Sequence, residues 1–186
     1  MKNISRQAGF SLIELVTSLS IISILTALFL ANYHTINQRT DLVMTAQTMV
    51  SDIRTAQSNA LGLIEYDGEV PVGGWGVFLS GYTGDNHYVI FADLDGDQAA
   101  SGDESSQNFG SKTVIFPDKI SIDSIYLPNN SEVLKTNIIF LPPDPLTYIV
   151  TDQGTSTAIN IRLKESVNNT TKTIRINFLG LIEVID

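Results

Sequence analysis

The sequence predicts an α+β protein in which a long N-terminal α-helix packs on a largely antiparallel β-sheet. Residues 10–31 form a 22-residue run with a single charged side chain, about the length needed to cross a membrane as a helix. Apolar residues then recur at alternating spacings of four and three up to Leu63, as on one face of a helix. Beyond Asp67 the pattern changes to short β-rich runs separated by turn clusters. A helix followed by a series of strands is typical of an α+β fold.

The apolar spacings predict that the helix continues well beyond the membrane run. No Pro or Gly occurs between Phe10 and Leu61, and Gly62 is therefore the expected stop. Seven residues form the face that should pack on the sheet: Leu42, Ala46, Met49, Ile53, Ala56, Ala60 and Leu63. We expect this face to be ordinary core packing.

The composition indicates one folded domain with an appended element. Of the 186 residues, 43% are hydrophobic and 17% are charged, which provides enough apolar material for a core. The formal net charge of -9 argues against a nucleic-acid groove, because neutralising phosphates requires clustered Lys and Arg. The chain has no cysteine, so neither a disulfide nor a thiolate nucleophile can form.

The charges on either side of the apolar run predict its orientation. Lys2 and Arg6 precede the run, and the next Lys or Arg is Arg39. The positive-inside rule then keeps the N-terminus in the cytoplasm and exports the rest of the chain. We therefore expect a single-pass protein of the cytoplasmic (inner) membrane whose C-terminal domain lies outside.

A cleaved secretory signal peptide is the alternative interpretation of this N-terminus. Signal peptidase needs small residues one and three positions before its cut. Ala27 and Ala31 are the alanines that could directly precede such a cut. The residues at the third position are then Leu25 and Phe29, which are both too bulky. The run is also longer than a usual signal core and contains Glu14, so an anchor that signal peptidase leaves in place fits better.

Glu14 needs a partner, because a charged side chain inside a membrane segment costs roughly 2.5–3.5 kcal/mol on insertion scales. The stretch AGFSLIELV at 8–16, which contains this glutamate, resembles the cleavage and methylation signature of type IV prepilins and type II secretion pseudopilins. The resemblance implies that a prepilin peptidase cuts after Gly9 and methylates the new N-terminal residue, Phe10. It also implies that Glu14 pairs with the N-terminal amine of a neighbouring subunit, which would offset the cost of burying either charge alone.

The same resemblance implies a structural role and a set of partners. Subunits of this kind pass through an inner-membrane assembly platform and join an extracytoplasmic filament by packing their N-terminal helices. The expected partners are other pilin or pseudopilin subunits, prepilin peptidase, the assembly platform and, before assembly, membrane lipid. Later stretches resemble the GspH/FimT type of minor pseudopilin and minor pilin, namely GGWGVFL at 73–79, FADLDGD at 91–97 and IRINFLGLIEV at 174–184. They imply a minor subunit that initiates a filament or forms its tip.

The chain therefore divides into four predicted segments with a pilin-like arrangement. Residues 1–9 are the leader peptide, and residues 10–31 are the transmembrane part of the helix. Residues 32–63 are its amphipathic continuation. Residues 64–186 form the β-rich extracytoplasmic domain.

The acidic loop at 93–104 carries the candidate metal chemistry. Five carboxylates could supply oxygen ligands to calcium: Asp93, Asp95, Asp97, Asp103 and Glu104. The first three and the last fall at positions one, three, five and twelve of an EF-hand-like loop. Position six is Gln98 instead of glycine, however, and the flanking residues are typical of strands. The alternative is a solvated acidic hairpin, and no cofactor is required.

Common catalytic templates are absent from the sequence, so an enzyme is not expected. It contains no GxSxG, HExxH, P-loop or GxGxxG motif, and His34 and His87 lack a metal-ligand spacing. The alternative to a filament subunit is a non-polymerising, membrane-anchored extracytoplasmic binding module. Nucleic acid remains an unlikely ligand for either, since the basic residues near the C-terminal hairpin form only a modest group: Arg162, Lys164, Lys172 and Arg175.

Overall fold

A computed structural model describes residues 9–100, 112–143 and 146–185, and only the backbone of residues 31–38. The chain separates into two compact units, Met1–Asn37 and Gln38–Asp186. Helix α1 spans Leu12–Leu61 and therefore contributes residues to both units. Each unit is described by itself below.

The first unit is dominated by the apolar half of α1. Within the described residues, Leu12–Leu30 is the one helical segment long and apolar enough to cross a membrane. Its hydroxyl groups are satisfied inside the helix. Ser18 donates to the Glu14 carbonyl at 2.7 Å and Thr26 donates to the Ile22 carbonyl at 2.8 Å. Such internal bonds let polar side chains sit in a segment that has no water to bond to.

In the second unit, the predicted apolar face of α1 is buried. Six of its seven members, from Leu42 to Ala60, are at most 2% exposed. The seventh, Leu63, is 55% exposed, so the prediction that it joins the core is wrong. The reason is that α1 ends at Leu61, before the spacing reaches this residue.

The end of α1 is closed by backbone hydrogen bonds rather than by a side chain. The Ile64 N–H donates to the Asn59 carbonyl at 3.0 Å, and the Leu63 N–H donates to the Ala60 carbonyl at 3.1 Å. This is a Schellman motif, in which the residue after the cap adopts a left-handed conformation. Gly62 follows the last helical residue as predicted, but the left-handed residue is Leu63, with φ of 50°.

Eleven strands follow α1 among the described residues, and every pairing between them is antiparallel. The strands are β1 (Gly74–Ser80), β2 (His87–Asp93), β3 (Lys112–Ile115), β4 (Ile120–Tyr126), β5 (Glu132–Val133), β6 (Lys135–Phe140), β7 (Thr147–Thr151), β8 (Gly154–Ser156), β9 (Ala158–Glu165), β10 (Thr170–Asn177) and β11 (Ile182–Ile185). They form a six-stranded sheet in the order β3-β2-β1-β6-β7-β8 and a five-stranded sheet in the order β11-β10-β9-β4-β5. The α+β prediction is confirmed. The strands form two sheets, however, where the sequence predicted one.

The core lies where α1 meets both sheets. Met49 and Ile53 of the helix belong to one buried cluster with Ile138 of the six-stranded sheet and Ile161 of the five-stranded sheet. A smaller cluster of Phe78, Val89, Phe91 and Ile139 is packed by Ala100 from the acidic loop. Because β2 supplies residues to both clusters, it is buried on two faces, and its last residue, Asp93, is also buried.

Candidate functional site

The predicted processing site lies just before the helix. Gly9 and Phe10 are outside the helical residues, and α1 begins two residues later at Leu12. Phe10 is 83% exposed, and within the described residues no atom beyond the adjacent ones lies within 4 Å of the Cβ position of Gly9. The peptide bond between Gly9 and Phe10 is therefore free of helical hydrogen bonding. The first eight residues of the predicted leader lie outside the described residues.

Glu14 is the acidic residue of the first turn of α1. Its backbone carbonyl accepts hydrogen bonds from the Thr17 and Ser18 hydroxyls. Its carboxylate has no hydrogen-bond or ion-pair partner among the residues that the structure describes. The helix dipole favours an acid at this end by about 0.3–1 kcal/mol, which is less than the roughly 2.5–3.5 kcal/mol cost of a charge in a membrane. Pairing of Glu14 with a neighbouring subunit therefore stays a prediction.

The acidic loop brings three of its five predicted ligands together. One carboxylate oxygen from each of Asp93, Asp95 and Asp97 lies within 4.8 Å of the other two. Asp93 is buried at the end of β2, whereas Asp95 and Asp97 are exposed. The other two predicted ligands, Asp103 and Glu104, lie outside the described residues.

Asp93 organises the loop by accepting backbone hydrogen bonds. The Gly96 N–H donates to its Oδ1 atom at 2.8 Å, and the Gln98 N–H donates to its Oδ2 atom at 3.0 Å. Burial raises the pKa of Asp93 above its ordinary value, and the neighbouring Asp95 and Asp97 act in the same direction, against the two N–H donors. Asp93 thus performs a structural task that needs no metal.

Two backbone features fit the loop to this task. Gln98, which stands where an EF-hand has glycine, has φ of 61°, a left-handed conformation. The Cβ position of Gly73 is 2.0 Å from the Asp93 carboxylate, so only glycine lets that carboxylate sit there. The carboxylates are hard oxygen donors of the type that calcium prefers. Calcium binding by this loop stays a prediction.

The basic residues and histidines considered as candidate binding residues in the sequence lie in ordinary structural positions where the structure describes them. Arg162 lies 4.9 Å from the centre of the Tyr126 ring. Arg162 and Lys164 each lie 3.9 Å from a carboxylate oxygen of Asp123. His87 begins β2, and the side chain of His34 lies outside the described residues. These basic residues form ordinary strand-surface contacts.

Sequence reasoning missed a group of exposed leucines beside the end of α1. Leu179 and Leu181 flank Gly180 in the turn between β10 and β11 and are 63% and 53% exposed. The available signal was the run FLGLI, in which large apolar residues occupy a turn, where polar residues are usual.

Comparison with known proteins identifies the N-terminal segment. Residues 4–30 match the family model described as the prokaryotic N-terminal methylation motif. The match includes Gly9, Phe10 and Glu14. No curated protein and no solved structure matches the chain.

Proposed function

We propose that this type IV prepilin-like protein is a structural subunit of a type IV pilus or of a type II secretion pseudopilus. Proteins with this methylation motif are structural subunits, not enzymes, and they interact with other pilins and with prepilin peptidase. Within that class, we assign the chain to the minor subunits of the GspH/FimT type, which initiate or tip a filament. The stretches at 73–79, 91–97 and 174–184 support this finer assignment.

The observation that carries the proposal is a membrane-type helix whose first turn holds one acid, Glu14, with no side-chain partner among the described residues. A carboxylate in a low-dielectric helix bundle attracts an ammonium group strongly, whereas either charge alone is costly to bury. Cleavage after Gly9 would create such an ammonium group on each subunit, at Phe10. It would also remove Lys2 and Arg6, so that the formal side-chain charge changes from -9 to -11. Glu14 would then select a processed neighbour.

The proposed path of the chain from the membrane into the filament follows from the methylation motif and the apolar helix. The chain is inserted with its N-terminus in the cytoplasm, and prepilin peptidase removes residues 1–9 at the membrane. The assembly platform then extracts the helix from lipid as it packs against helices of other subunits. Small and hydroxyl-bearing residues such as Ser18 and Ser20 allow helices to approach closely. The folded second unit follows the helix into the extracytoplasmic filament.

Substitution of Glu14 tests the proposal. Glu14→Leu removes the charge but preserves an apolar helix, so we expect normal membrane insertion and loss of incorporation into filaments. Thr17→Val is the matched control, because the Thr17 hydroxyl is satisfied by the Glu14 carbonyl within the same helix. Membrane fractionation and immunoblotting of sheared filaments measure both steps. Normal incorporation of Glu14→Leu would contradict the pairing argument.

The copy number of the chain in purified filaments tests the finer assignment. A minor subunit should be present at a small fraction of the main subunit by quantitative mass spectrometry. An abundance equal to that of the main subunit would exclude the initiating or tip role while leaving the filament role intact.

A further inference from the structure

The second unit exposes a group of large aliphatic side chains at the place where α1 ends. Each of these residues is between 48% and 75% exposed. We call them the helix-end surface: Leu61, Leu63, Ile64, Val72, Leu179 and Leu181. Exposed apolar residues are normal when they are scattered, but a contiguous group indicates an interaction site. The placement of these six residues relative to one another therefore matters for their interpretation as an interaction site.

Hydrogen bonds from α1 hold the β10–β11 turn beside the helix end. Arg54 Nη2 donates to the Ile182 carbonyl at 3.2 Å, and Gln57 Nε2 reaches the Gly180 carbonyl at 3.5 Å. Leu61 lies four residues beyond Gln57 on the same helical face. The turn that carries the leucines on either side of Gly180 is therefore tied to the last turns of α1, which end at Leu61.

The turn itself is fixed in shape. Asn177 Oδ1 accepts hydrogen bonds from the Leu179 N–H at 3.0 Å and from the Leu181 N–H at 3.1 Å. The backbone that carries both leucines is thus anchored through their own N–H groups. A surface that is already ordered loses little conformational entropy when a partner binds.

The surface also reaches the acidic loop. Trp75 Nε1 donates to the Ile64 carbonyl at 3.1 Å and ties the chain after α1 to the start of β1. The Gly73 N–H donates to the Asp93 carbonyl at 2.9 Å. Val72 Cγ1 lies 3.7 Å from the Cβ position of Gly96 in the acidic loop. These hydrogen bonds and this contact tie the segments that carry the six residues to one another, and we treat the six as one strip.

Leu63 occupies its position at a cost. A left-handed backbone disfavours residues with a Cβ atom by about 1–2 kcal/mol, and glycine avoids this cost. The Leu63 side chain is more than half exposed and belongs to neither buried cluster, so packing within the described residues does not offset the cost. The Schellman motif requires this left-handed conformation but not a leucine in it, so the choice of leucine is a reason to look for a function.

The chain segment that follows Arg54 and carries four of the six residues is acidic. Residues 55–111 contain nine Asp and Glu and no Lys or Arg, which equals the formal net charge of the whole chain. Five of these acids are exposed in the described segments that border the helix-end surface: Glu65, Asp67, Glu69, Asp95 and Asp97. An acidic border repels nucleic acid, anionic lipid and the same surface of a second copy.

We propose that the helix-end surface binds another polypeptide through an apolar face bordered by Lys and Arg. The aliphatic strip supplies the area removed from water, and the acidic border selects a cationic partner and speeds its approach. This role is separate from assembly through the N-terminal helix, because it uses residues of the second unit alone.

A synthetic probe tests the proposal on the full-length protein in a non-ionic detergent. The probe is an amphipathic helical peptide of leucine and lysine, and a photo-crosslinking side chain replaces Leu179. We expect crosslinking to this peptide, and little to a leucine/glutamate peptide or to a glutamine/lysine peptide. The same group at Val167, which is 53% exposed in the β9–β10 turn, should remain unreactive. Equal crosslinking from both positions, or to the glutamine/lysine peptide, would overturn the proposal.

Leu63→Gly separates binding from folding. It removes one leucine from the surface and also relieves the left-handed backbone, so a folding defect cannot explain weaker binding. We expect the Kd for the leucine/lysine peptide to rise about tenfold, the change that corresponds to losing one buried aliphatic side chain. Val167→Ala should leave the Kd unchanged. An unchanged Kd in Leu63→Gly would refute the role of the strip.

The crosslinker at Leu179 in the native host then identifies the source of the partner. A crosslinked segment of a different protein that combines apolar residues with Lys or Arg would support the proposal. A crosslink to a second copy of this chain or to lipid would refute it. Incorporation of Glu14→Leu tests the filament role independently, so failure of one proposal is distinguishable from failure of the other.

Discussion

Glu165 shows how a buried acid can stabilise a turn in this chain. Its Oε1 atom accepts the Val167 N–H at 2.6 Å, and its Oε2 atom accepts the Asn168 N–H at 2.9 Å. Burial alone would raise the pKa of Glu165, but these donors, the Asn168 side-chain amide and the charge of Lys119 outweigh burial, and the pKa is lowered. The ionised carboxylate is therefore the form that the folded state favours.

The lowered pKa of Glu165 predicts a pH-dependent contribution to stability. This contribution should be complete above the unfolded pKa of about 4.3 and should be lost as the pH falls through the lower folded value. Glu165→Gln leaves one N–H without an acceptor, so we expect a loss of about 1–3 kcal/mol in the free energy of unfolding at neutral pH. Denaturation followed by the fluorescence of the single tryptophan, Trp75, measures it.

The control for this measurement is Glu132→Gln, because Glu132 is exposed on the short strand β5. Its free energy of unfolding should stay close to that of the unaltered protein. If the loss of stability in Glu165→Gln persisted unchanged at strongly acidic pH, it would contradict the conclusion that the ionised form of Glu165 stabilises the folded state.

The acidic loop gives a second prediction at the residue scale. If calcium binds to Asp93, Asp95 and Asp97, the full chain in detergent should release or absorb heat on titration and unfold at a higher temperature in millimolar calcium. The affinity should fall as the pH falls through the raised pKa of Asp93, because protons and calcium compete for the carboxylate. The double substitution Asp95→Asn with Asp97→Asn should abolish both signals. The absence of heat and of a thermal shift would leave the loop as a solvated acidic hairpin.

At the scale of the element, the end of α1 combines a standard hydrogen-bond pattern with an unusual residue. The Schellman bonds are those that commonly end helices, but glycine normally takes the left-handed position. Here Gly62 stands one residue before that position, and Leu63 occupies it. The helix end is thus defined by backbone geometry, and its residue choice is not optimal for stability.

Two leucine-to-glycine substitutions test this interpretation in opposite directions. Leu63→Gly should raise the free energy of unfolding by about 0.5–1 kcal/mol, after the greater flexibility of glycine in the unfolded chain is subtracted from the strain relieved. Leu61→Gly, two residues earlier and similarly exposed, should lower it by about 1 kcal/mol because Leu61 is helical. Chemical denaturation of both variants provides the measurement. A loss of stability in both would contradict a strained Leu63.

At the scale of the whole molecule, processing is the prediction that separates a filament subunit from a membrane-anchored binding module. Mass spectrometry of the protein extracted from its native membranes should show a chain that begins with methylated Phe10. Gly9→Leu should retain residues 1–9 and stay out of filaments, because the peptidase would no longer cut there. An unaltered chain that still begins at Met1 would favour the binding module.

The sequence alone determined the methylation motif and the membrane-type helix of this protein through local chemistry. The apolar run, Glu14 and the methylation motif are contiguous in the chain, so their meaning does not depend on folding, and the motif match agrees with it. The spacing from Leu42 to Ala60 likewise identified the buried face of α1, because helical periodicity is a local property.

Only the tertiary structure decided which residues from distant parts of the chain meet. The split into two sheets depends on strand pairing over long separations, and β4 is joined to β9 across a register shift between Ile122 and Ser124. The meeting of Gly180 with Gln57, 123 positions apart, joins the β10–β11 turn to the helix end. Local patterns carry no information on such contacts, since they depend on how the sheets and α1 bury their apolar faces together.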